Sequence, residues 1–326
     1  MHSDIRVAGC VFWLYILIFI ASCVLLAISG EWLVKVLMRI ARFLGWREFV
    51  VAFFTVAFAA SAPNLFVGII SALHGIPELS FGDIVSGNVI DLTLAVALAI
   101  FLGRSSLSTD SRLIQNSAIF TAAMAVLPLF LVLDGDLSRG DGLVLIGAFF
   151  FYIYWLFSKG DRFNKIYDDS DHIGFSMFLK DLSRIVFALG MILLASEGIV
   201  RTAVFFSGAL NLPIIFVGIL VVALGNALPE TYFAVVSAKR EQNWMVLGDL
   251  MGSVISCATL VLGIVALIEP IIIQDVPTIA VARVFMIMAA LFFLIFTWTG
   301  RRISRREAVL LFILYALFVI VELWIM

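Results

Sequence analysis

Apolar runs of about 20 residues, the length that spans the hydrocarbon core of a bilayer as an α-helix, dominate this chain. Charged, glycine-containing or proline-containing segments separate the runs. The sequence predicts ten spans, near 8–33, 48–73, 80–102, 113–133, 141–158, 180–207, 213–237, 245–268, 279–299 and 307–325. Only 13% of the 326 residues are charged, about half the share in soluble domains. These features exclude a soluble enzyme and predict an all-α integral membrane protein.

Basic residues concentrate in alternate loops of the ten-span arrangement. Seventeen of the 21 lysine and arginine residues lie in or beside the odd-numbered loops. Cytoplasmic loops carry such an excess, so both termini are expected outside the cell membrane, whether plasma or inner membrane. The formal net charge of −2 indicates no basic surface for nucleic acid. The partners expected are therefore transported ions and the lipid bilayer.

The longest loop divides the chain into two sets of five spans. We expect a first five-helix repeat over 1–158, a cytoplasmic linker over 159–179 and a second repeat over 180–326. The linker contains an acidic cluster, Asp168, Asp169 and Asp171. A regulatory cation site is one interpretation of the cluster, but a solvated linker is the one favoured.

The chain also matches itself, without a gap, when its first half is aligned with its second half at one constant offset. Pro63 falls on Pro229, Ser71-Ala72 on Ser237-Ala238, Gly82-Asp83 on Gly248-Asp249, and Glu31 on Glu197. We call this shift, which places Pro63 on Pro229, the repeat offset. Each copy holds an odd number of spans, so the second copy enters the membrane from the opposite side. Such inverted repeats are frequent in secondary transporters, which place their substrate near the bilayer midplane. The sequence thus predicts ten transmembrane helices as two inverted five-helix repeats.

A proline near the middle of span 2 and another at the equivalent position of span 7 predict local distortion. Pro63 and Pro229 each remove a backbone donor and crowd the carbonyl four residues earlier, so a kink or break is expected. Free carbonyls at membrane depth are tolerated where they are buried or line a cavity. Carbonyl oxygens are suitable ligands for a hard cation.

Carboxyl groups without basic partners are the strongest functional feature. Asp83, Asp91, Glu230 and Asp249 lie inside apparent spans, and no lysine or arginine lies deep in those same spans. A charged carboxylate at the bilayer centre costs at least about 2.5–3.5 kcal/mol. The acids must therefore be protonated or neutralised by a cation.

Polar neighbours complete the expected metal-ion site. Asn64 is the repeat equivalent of Glu230, and helical spacing places Ser61 beside Asn64 and Asn226 beside Glu230. The predicted site consists of Glu230, Asp249, Asp83, Asn64, Ser61 and Asn226. Oxygen donors without nearby His or Cys favour Ca²⁺ or Na⁺ over zinc or copper. No resident cofactor is expected.

Several other residues keep open or structural interpretations. Asp91 has Cys257 as its repeat equivalent, and its role is left open. For Glu31 and Glu197, structural hydrogen bonding is favoured over gating. Residues interpreted as loop histidines or small core cysteines are His2, His74, His172, Cys10, Cys23 and Cys257.

At these residues the sequence resembles the sodium/calcium exchanger family of the cation/calcium antiporter superfamily. This family carries two alpha motifs, one in each repeat. The second alpha motif, about 216–268, contains Gly225-Asn226-Ala227-Leu228-Pro229-Glu230 and Gly248-Asp249-Leu250-Met251-Gly252-Ser253. The first, about 50–102, departs from the family pattern with Asn64 at a usual acid position and Asp83 where asparagine is frequent. The resemblance implies that Glu230 and Asp249 ligate cations and that Asn64 and Asp83 occupy the matching positions.

The resulting hypothesis is secondary active antiport of cations, with Na⁺ and Ca²⁺ competing for one site by alternating access. Spans 1 and 6 would move against a core of spans 2, 3, 7 and 8. Exchange of Ca²⁺ or another cation for H⁺ is the nearest alternative. A passive cation channel and a non-transporting sensor are further alternatives.

Overall fold

The computed structural model describes residues 2–43, 61–103, 106–158, 175–273 and 276–325. Within these ranges the chain is almost entirely helical. We number the helices α1 (His2–Phe43), α2 (Ala62–Leu73), α3 (Pro77–Gly103), α4 (Arg112–Leu131), α5 (Arg139–Ser158), α6 (Phe175–Leu210), α7 (Ile214–Lys239), α8 (243–268), α9 (Val276–Trp298) and α10 (Arg305–Ile325).

The helices confirm the predicted all-α membrane architecture. Nine helices in the described part of the chain are long and apolar enough to cross a membrane. The predicted span over 48–73 is described only from residue 61, where it contains the shorter apolar helix α2. Residues 159–174 of the predicted linker, with the acidic cluster, lie outside the described ranges.

Two short antiparallel ladders join the repeats to each other. The strands are β1 (Leu107–Ser108), β2 (Asp136–Leu137), β3 (Ile271–Ile272) and β4 (Arg302–Ile303). Strand β1 pairs with β4, and β2 pairs with β3. Each ladder therefore contains one strand from each repeat, and the repeat offset places β2 on β4.

Helix starts recur at the same repeat offset. The Ser138 backbone donates to Asp141 Oδ2 over 2.9 Å, and the Ser304 backbone donates to Glu307 Oε2 over 2.6 Å. In return, the backbone N–H groups of Asp141 and Glu307 donate to the two serine hydroxyls. These reciprocal bonds are capping boxes, which satisfy amide groups at the first turn of a helix. The same local chemistry thus starts α5 and α10.

Helices α3 and α8 each widen into a π-helical segment at equivalent positions. The segments are Asp91–Ala95 and Cys257–Val261, which the repeat offset places on each other. In both, a threonine hydroxyl, Thr93 or Thr259, donates to the carbonyl four residues earlier. π-Helical insertions often occur at functional sites. The repeat therefore extends to the irregular parts of the backbone.

The two equivalent prolines have different structural outcomes. Pro63 lies at the start of α2, where its missing N–H is tolerated because first-turn amides have no partner within the helix. Of the kink or break predicted at Pro229, the break does not occur, because helix α7 continues through Pro229 to Lys239. Neighbouring helices can enclose a carbonyl freed by proline, and Gly225, four residues before Pro229, packs closely on α1. The departure from α geometry in α7 is a π-helical segment at Gly218–Val222.

Two large apolar clusters account for most of the packing between the described helices. The larger cluster joins helices α3, α4, α8, α9 and α10 with parts of α2, α5 and α7. A second cluster is built mainly from α1 and α6, whose aromatic side chains include the stacked pair Tyr15 and Phe205. Helices α3 and α8 are the most enclosed spans, whereas α1 is the least enclosed. The fold is thus an enclosed core with an α1–α6 pair on its side.

Close backbone approach at Gly142 and Gly263 provides a test of core packing. A Cβ atom added at Gly263 would lie 2.8 Å from the Gly142 carbonyl oxygen, so α5 and α8 would have to separate. We expect Gly263→Ala to destabilise the protein by about 1–3 kcal/mol, as overpacking does. Thermal unfolding in detergent measures this loss. Gly190→Ala is the matched control, because no atom lies within 4 Å of an added Cβ there; an equal loss in both variants would contradict the packing argument.

Candidate cation-binding site

A small cavity lies between helices α2, α3, α7 and α8, near the middle of the long helices. Its volume is about 10 Å³, which is close to the minimum for one water molecule or a similarly small ion. The lining residues are Asn64, Asp83, Ile84, Gly87, Asn88, Asp91, Ala223, Asn226, Ala227, Glu230, Ser253 and Cys257. Both repeats contribute to the lining, as expected for a site between inverted halves.

Three carboxyl groups line one side of the cavity. Asp83, Asp91 and Glu230 are buried, and no lining residue is basic. The Asn226 amide donates to Asp83 Oδ2 over 2.8 Å and joins α7 to α3. Its own carbonyl oxygen Oδ1, together with Asp91 Oδ1 and Glu230 Oε2, has no hydrogen-bond partner among the described residues. Buried oxygens without partners are unfavourable, so this side requires protons, water or a cation.

The cavity lining also contains an uncharged pair of side chains. The Asn64 amide donates to Cys257 Sγ over 3.2 Å, which joins α2 to α8. By the repeat offset, Asn64 and Cys257 correspond to Glu230 and Asp91. Each half therefore holds one neutral residue and one carboxyl group at these positions: Asn64 and Asp91 in the first repeat, and Cys257 and Glu230 in the second.

Helical periodicity explains how these side chains reach one cavity. In α3, Asp83, Gly87 and Asp91 recur every four residues and share a face. Gly87 leaves open space on that face, because nothing lies within 4 Å of an added Cβ. In α7, Asn226 and Glu230 have the same spacing. The interpretation that this couple shares a face agrees with the structure.

The cavity brings together four of the six predicted site residues. Asn64, Asp83, Asn226 and Glu230 line it, whereas Asp249 and Ser61 lie outside the lining. Asp249 is half-buried one turn before Ser253, and its carboxyl group still interacts electrostatically with Asp91 and Glu230.

Ser61 is fully buried at the start of α2, one turn before Asn64. Glu31 and Glu197, for which structural hydrogen bonding is favoured, also lie away from the cavity. Glu31 pairs with Lys35 over 3.2 Å and Glu197 with Arg201 over 2.5 Å, one helical turn away in each case.

The cavity lining also includes Asn88, Ser253 and Cys257, which are not among the predicted site residues, and Asp91, whose role the sequence leaves open. Steps of four residues lead from Asp83 to Asp91 on one helix, and from Asp249 through Ser253 to Cys257 on another. This spacing could have predicted that Asp91, Ser253 and Cys257 share a face with the predicted acids. Cys257 was interpreted as a small core residue, and it is indeed buried. Its contact with Asn64 depends on the approach of α2 to α8, which spacing along one helix does not specify.

The donor set favours a hard cation held by mixed oxygen ligands. Carboxylate and amide oxygens are the ligands that Ca²⁺ and Na⁺ share. Among the described residues, no three acidic, histidine or cysteine groups converge as a metal site. A cation in this cavity would therefore need amide oxygens, backbone carbonyls or water in addition to the carboxylates.

Comparisons with known proteins agree with this architecture. The family model described as sodium/calcium exchanger protein matches residues 14–158 and 182–324. The sodium/calcium exchanger MaX1 of Methanosarcina acetivorans is 25% identical, and the alignment covers 95% of this chain and 98% of that protein. The inner membrane protein YrbG of Escherichia coli is 22% identical over 86% of this chain and 87% of its own length.

A solved structure shares the fold. The sodium-calcium exchanger NCX_Mj, soaked with 10 mM Na⁺ and zero Ca²⁺, superimposes with a TM-score of 0.65 at 23% identity. The match covers 95% of this chain and 99% of that one. The family model spans most of both halves, so the chain belongs to the sodium/calcium exchanger protein family.

Proposed function

We propose that this protein is a secondary active antiporter that exchanges Na⁺ for Ca²⁺ by alternating access at the described cavity. The observation that carries the proposal is the set of three buried oxygens, on Asp91, Asn226 and Glu230, that find no partner in the described part of the chain. They face one small cavity that has no basic residue in its lining. A cation is the group that satisfies all three oxygens and neutralises the carboxylates at once.

The number of acids favours competition between a divalent ion and monovalent ions. Asp83, Asp91 and Glu230 line the cavity, and Asp249 interacts electrostatically with two of them. A bound Ca²⁺ or Na⁺ ion reduces the repulsion among these groups, whereas an empty cluster of carboxylates retains it. Because the ligands are shared, release of one ion species permits binding of the other, and the loaded states cross more readily than the empty one.

We further propose that the protein resides in the cell membrane with both termini outside. Support comes from the basic residues of the odd-numbered loops, which favour the cytoplasmic side. In this orientation the ladder β1–β4 faces the cytoplasm and the ladder β2–β3 faces outward. Cysteine labelling of intact cells, with Ser138→Cys accessible from outside and Ser304→Cys protected, would test it.

The first functional prediction concerns ion coupling. In proteoliposomes that contain the purified protein, an outward Na⁺ gradient should drive Ca²⁺ uptake, and Glu230→Gln should abolish this uptake because the cavity loses a central carboxylate. Glu269→Gln is the matched control, since Glu269 is exposed at the end of α8. Uptake driven by a pH gradient without Na⁺ would favour H⁺ exchange, gradient-independent flux would indicate a channel, and no Ca²⁺ flux would overturn the calcium assignment.

The second functional prediction ranks the aspartates. Asp91 lines the cavity with an unpartnered oxygen, whereas Asp249 is half-buried and lies outside the lining. We expect Asp91→Asn to weaken Ca²⁺ affinity by about tenfold or more, which corresponds to about 1.4 kcal/mol, and Asp249→Asn to weaken it less. Concentration dependence of Ca²⁺ uptake measures both. A larger effect of Asp249→Asn than of Asp91→Asn would contradict this ranking and would indicate that the ion binds nearer to Asp249, at the start of α8, than to the cavity.

A further inference from the structure

A side-chain contact outside the cavity joins the α1–α6 pair to the core. His74 Nε2 lies 3.0 Å from Glu197 Oε2, and Glu197 Oε1 accepts from Arg201 over 2.5 Å. His74 is the C-terminal cap of α2, and Glu197 lies on α6. The contact therefore connects one end of a cavity-forming helix with one helix of the pair.

The inverted repeat contains the same set of residues a second time. The repeat offset relates Glu197 to Glu31, Arg201 to Lys35 and His74 to Arg240. Each position keeps its chemical character, with an acid, a base one turn later on the same helix, and a cationic or protonatable cap. Helices α2 and α7 run in opposite directions through the membrane, so their caps lie at opposite ends of the protein.

Backbone geometry at the two caps is also equivalent. His74 and Arg240 both follow the last helical turn, and each precedes a residue with positive φ, 71° at Gly75 and 61° at Glu241. Each turn is closed by a backbone hydrogen bond of 3.0 Å. The Ile76 N–H donates to the Ser71 carbonyl, and the Gln242 N–H donates to the Ser237 carbonyl. The same type of turn therefore follows α2 at His74 and α7 at Arg240.

The two copies nevertheless differ in this structure. Glu197 is 28% exposed and contacts His74, whereas Glu31 is 64% exposed and forms its ion pair with Lys35. Helix α6 also packs more extensively on α2 than α1 packs on α7. One contact is closed and its symmetric counterpart is open, although the local residues would permit both.

We propose that His74–Glu197 and Arg240–Glu31 are alternate latches that close opposite ends of the ion pathway in turn. In the opposite access state, Glu31 binds Arg240 and Glu197 separates from His74. The four residues position α1 and α6 against the core and do not contact the transported ion. This proposal rests on the proposed alternating access, but it does not depend on which ion is carried.

Cross-linking tests whether the two contacts alternate. The double variants His74→Cys/Glu197→Cys and Glu31→Cys/Arg240→Cys are treated with a short bifunctional thiol reagent in Ca²⁺, in Na⁺ and without either ion. Mass spectrometry identifies the linked peptides, and the four single-cysteine variants control for linkage to native cysteines. We expect both pairs to cross-link in some condition, with yields that change in opposite directions. Yields that rise and fall together, or a second pair that never cross-links, would overturn the latches.

Transport variants provide a second measurement. Glu197→Gln should weaken the contact with His74 and favour the state that is open at the His74 end of α2. The apparent KM should then fall for ions on that side of the membrane and rise for ions on the other side. Glu31→Gln should do the reverse. An exposed ion pair contributes little energy, so we expect shifts of about two- to fivefold. Two variants of Arg240 form a matched pair. Arg240→Lys keeps the positive charge and should keep the KM values near those of the unaltered protein, whereas Arg240→Gln removes the charge and should shift them as Glu31→Gln does.

The outcomes distinguish this proposal from the proposed function. Equal KM changes on both faces, or none, would overturn the latches while Na⁺-driven Ca²⁺ uptake by the unaltered protein continued. Absence of that uptake would overturn Na⁺/Ca²⁺ exchange, whereas opposite changes in cross-linking yield would still support the latches. Size-exclusion chromatography of each variant separates misfolding from a shifted equilibrium.

Discussion

Carboxyl groups held between apolar helices, with no basic residue in the lining, are the constraint on which the rest of this structure depends. Asp83, Asp91 and Glu230 are buried in one cavity, and an unneutralised charge at that depth is strongly unfavourable. Four helices must surround these groups, and the flanking helices must exclude lipid from them. The glycine contacts of the core permit the close approach that such enclosure requires, as where α5 meets α8 at Gly142 and Gly263. The remaining helices can then be apolar on nearly every face.

The two repeats combine symmetry of the backbone with asymmetry of charge. Capping boxes, short ladders, π-helical segments and helix-terminal turns recur at one offset. The cavity side chains at equivalent positions differ. Asn64 of the first repeat corresponds to Glu230 of the second, and Cys257 of the second repeat corresponds to Asp91 of the first. A symmetric backbone thus surrounds an asymmetric cavity lining, in which Asp91 and Glu230 each have a neutral counterpart in the other repeat.

Much of this organisation could be predicted from the sequence because its causes act along single helices or through the repeat. Apolar runs identified the spans, and the spacing of Asn226 and Glu230 placed both on one face. Contacts between helices could not be predicted in the same way. The bond from Asn64 to Cys257 and the contact of His74 with Glu197 depend on how distant helices approach. Proline geometry alone likewise does not decide between a kink and a break at Pro229, because the outcome also depends on the packing of the preceding turn, where Gly225 contacts α1.

The small volume of the cavity has a consequence for ion hydration. A space of about 10 Å³ holds roughly one water-sized particle, so an ion cannot enter it with an intact hydration shell. Entry must exchange water ligands for protein oxygens one after another. Ca²⁺ accepts irregular sets of six to eight oxygens, whereas Mg²⁺ gives up its water reluctantly and demands near-octahedral geometry. For the proposed cation site, the cost of dehydration would therefore disfavour Mg²⁺, although Mg²⁺ and Ca²⁺ carry the same charge.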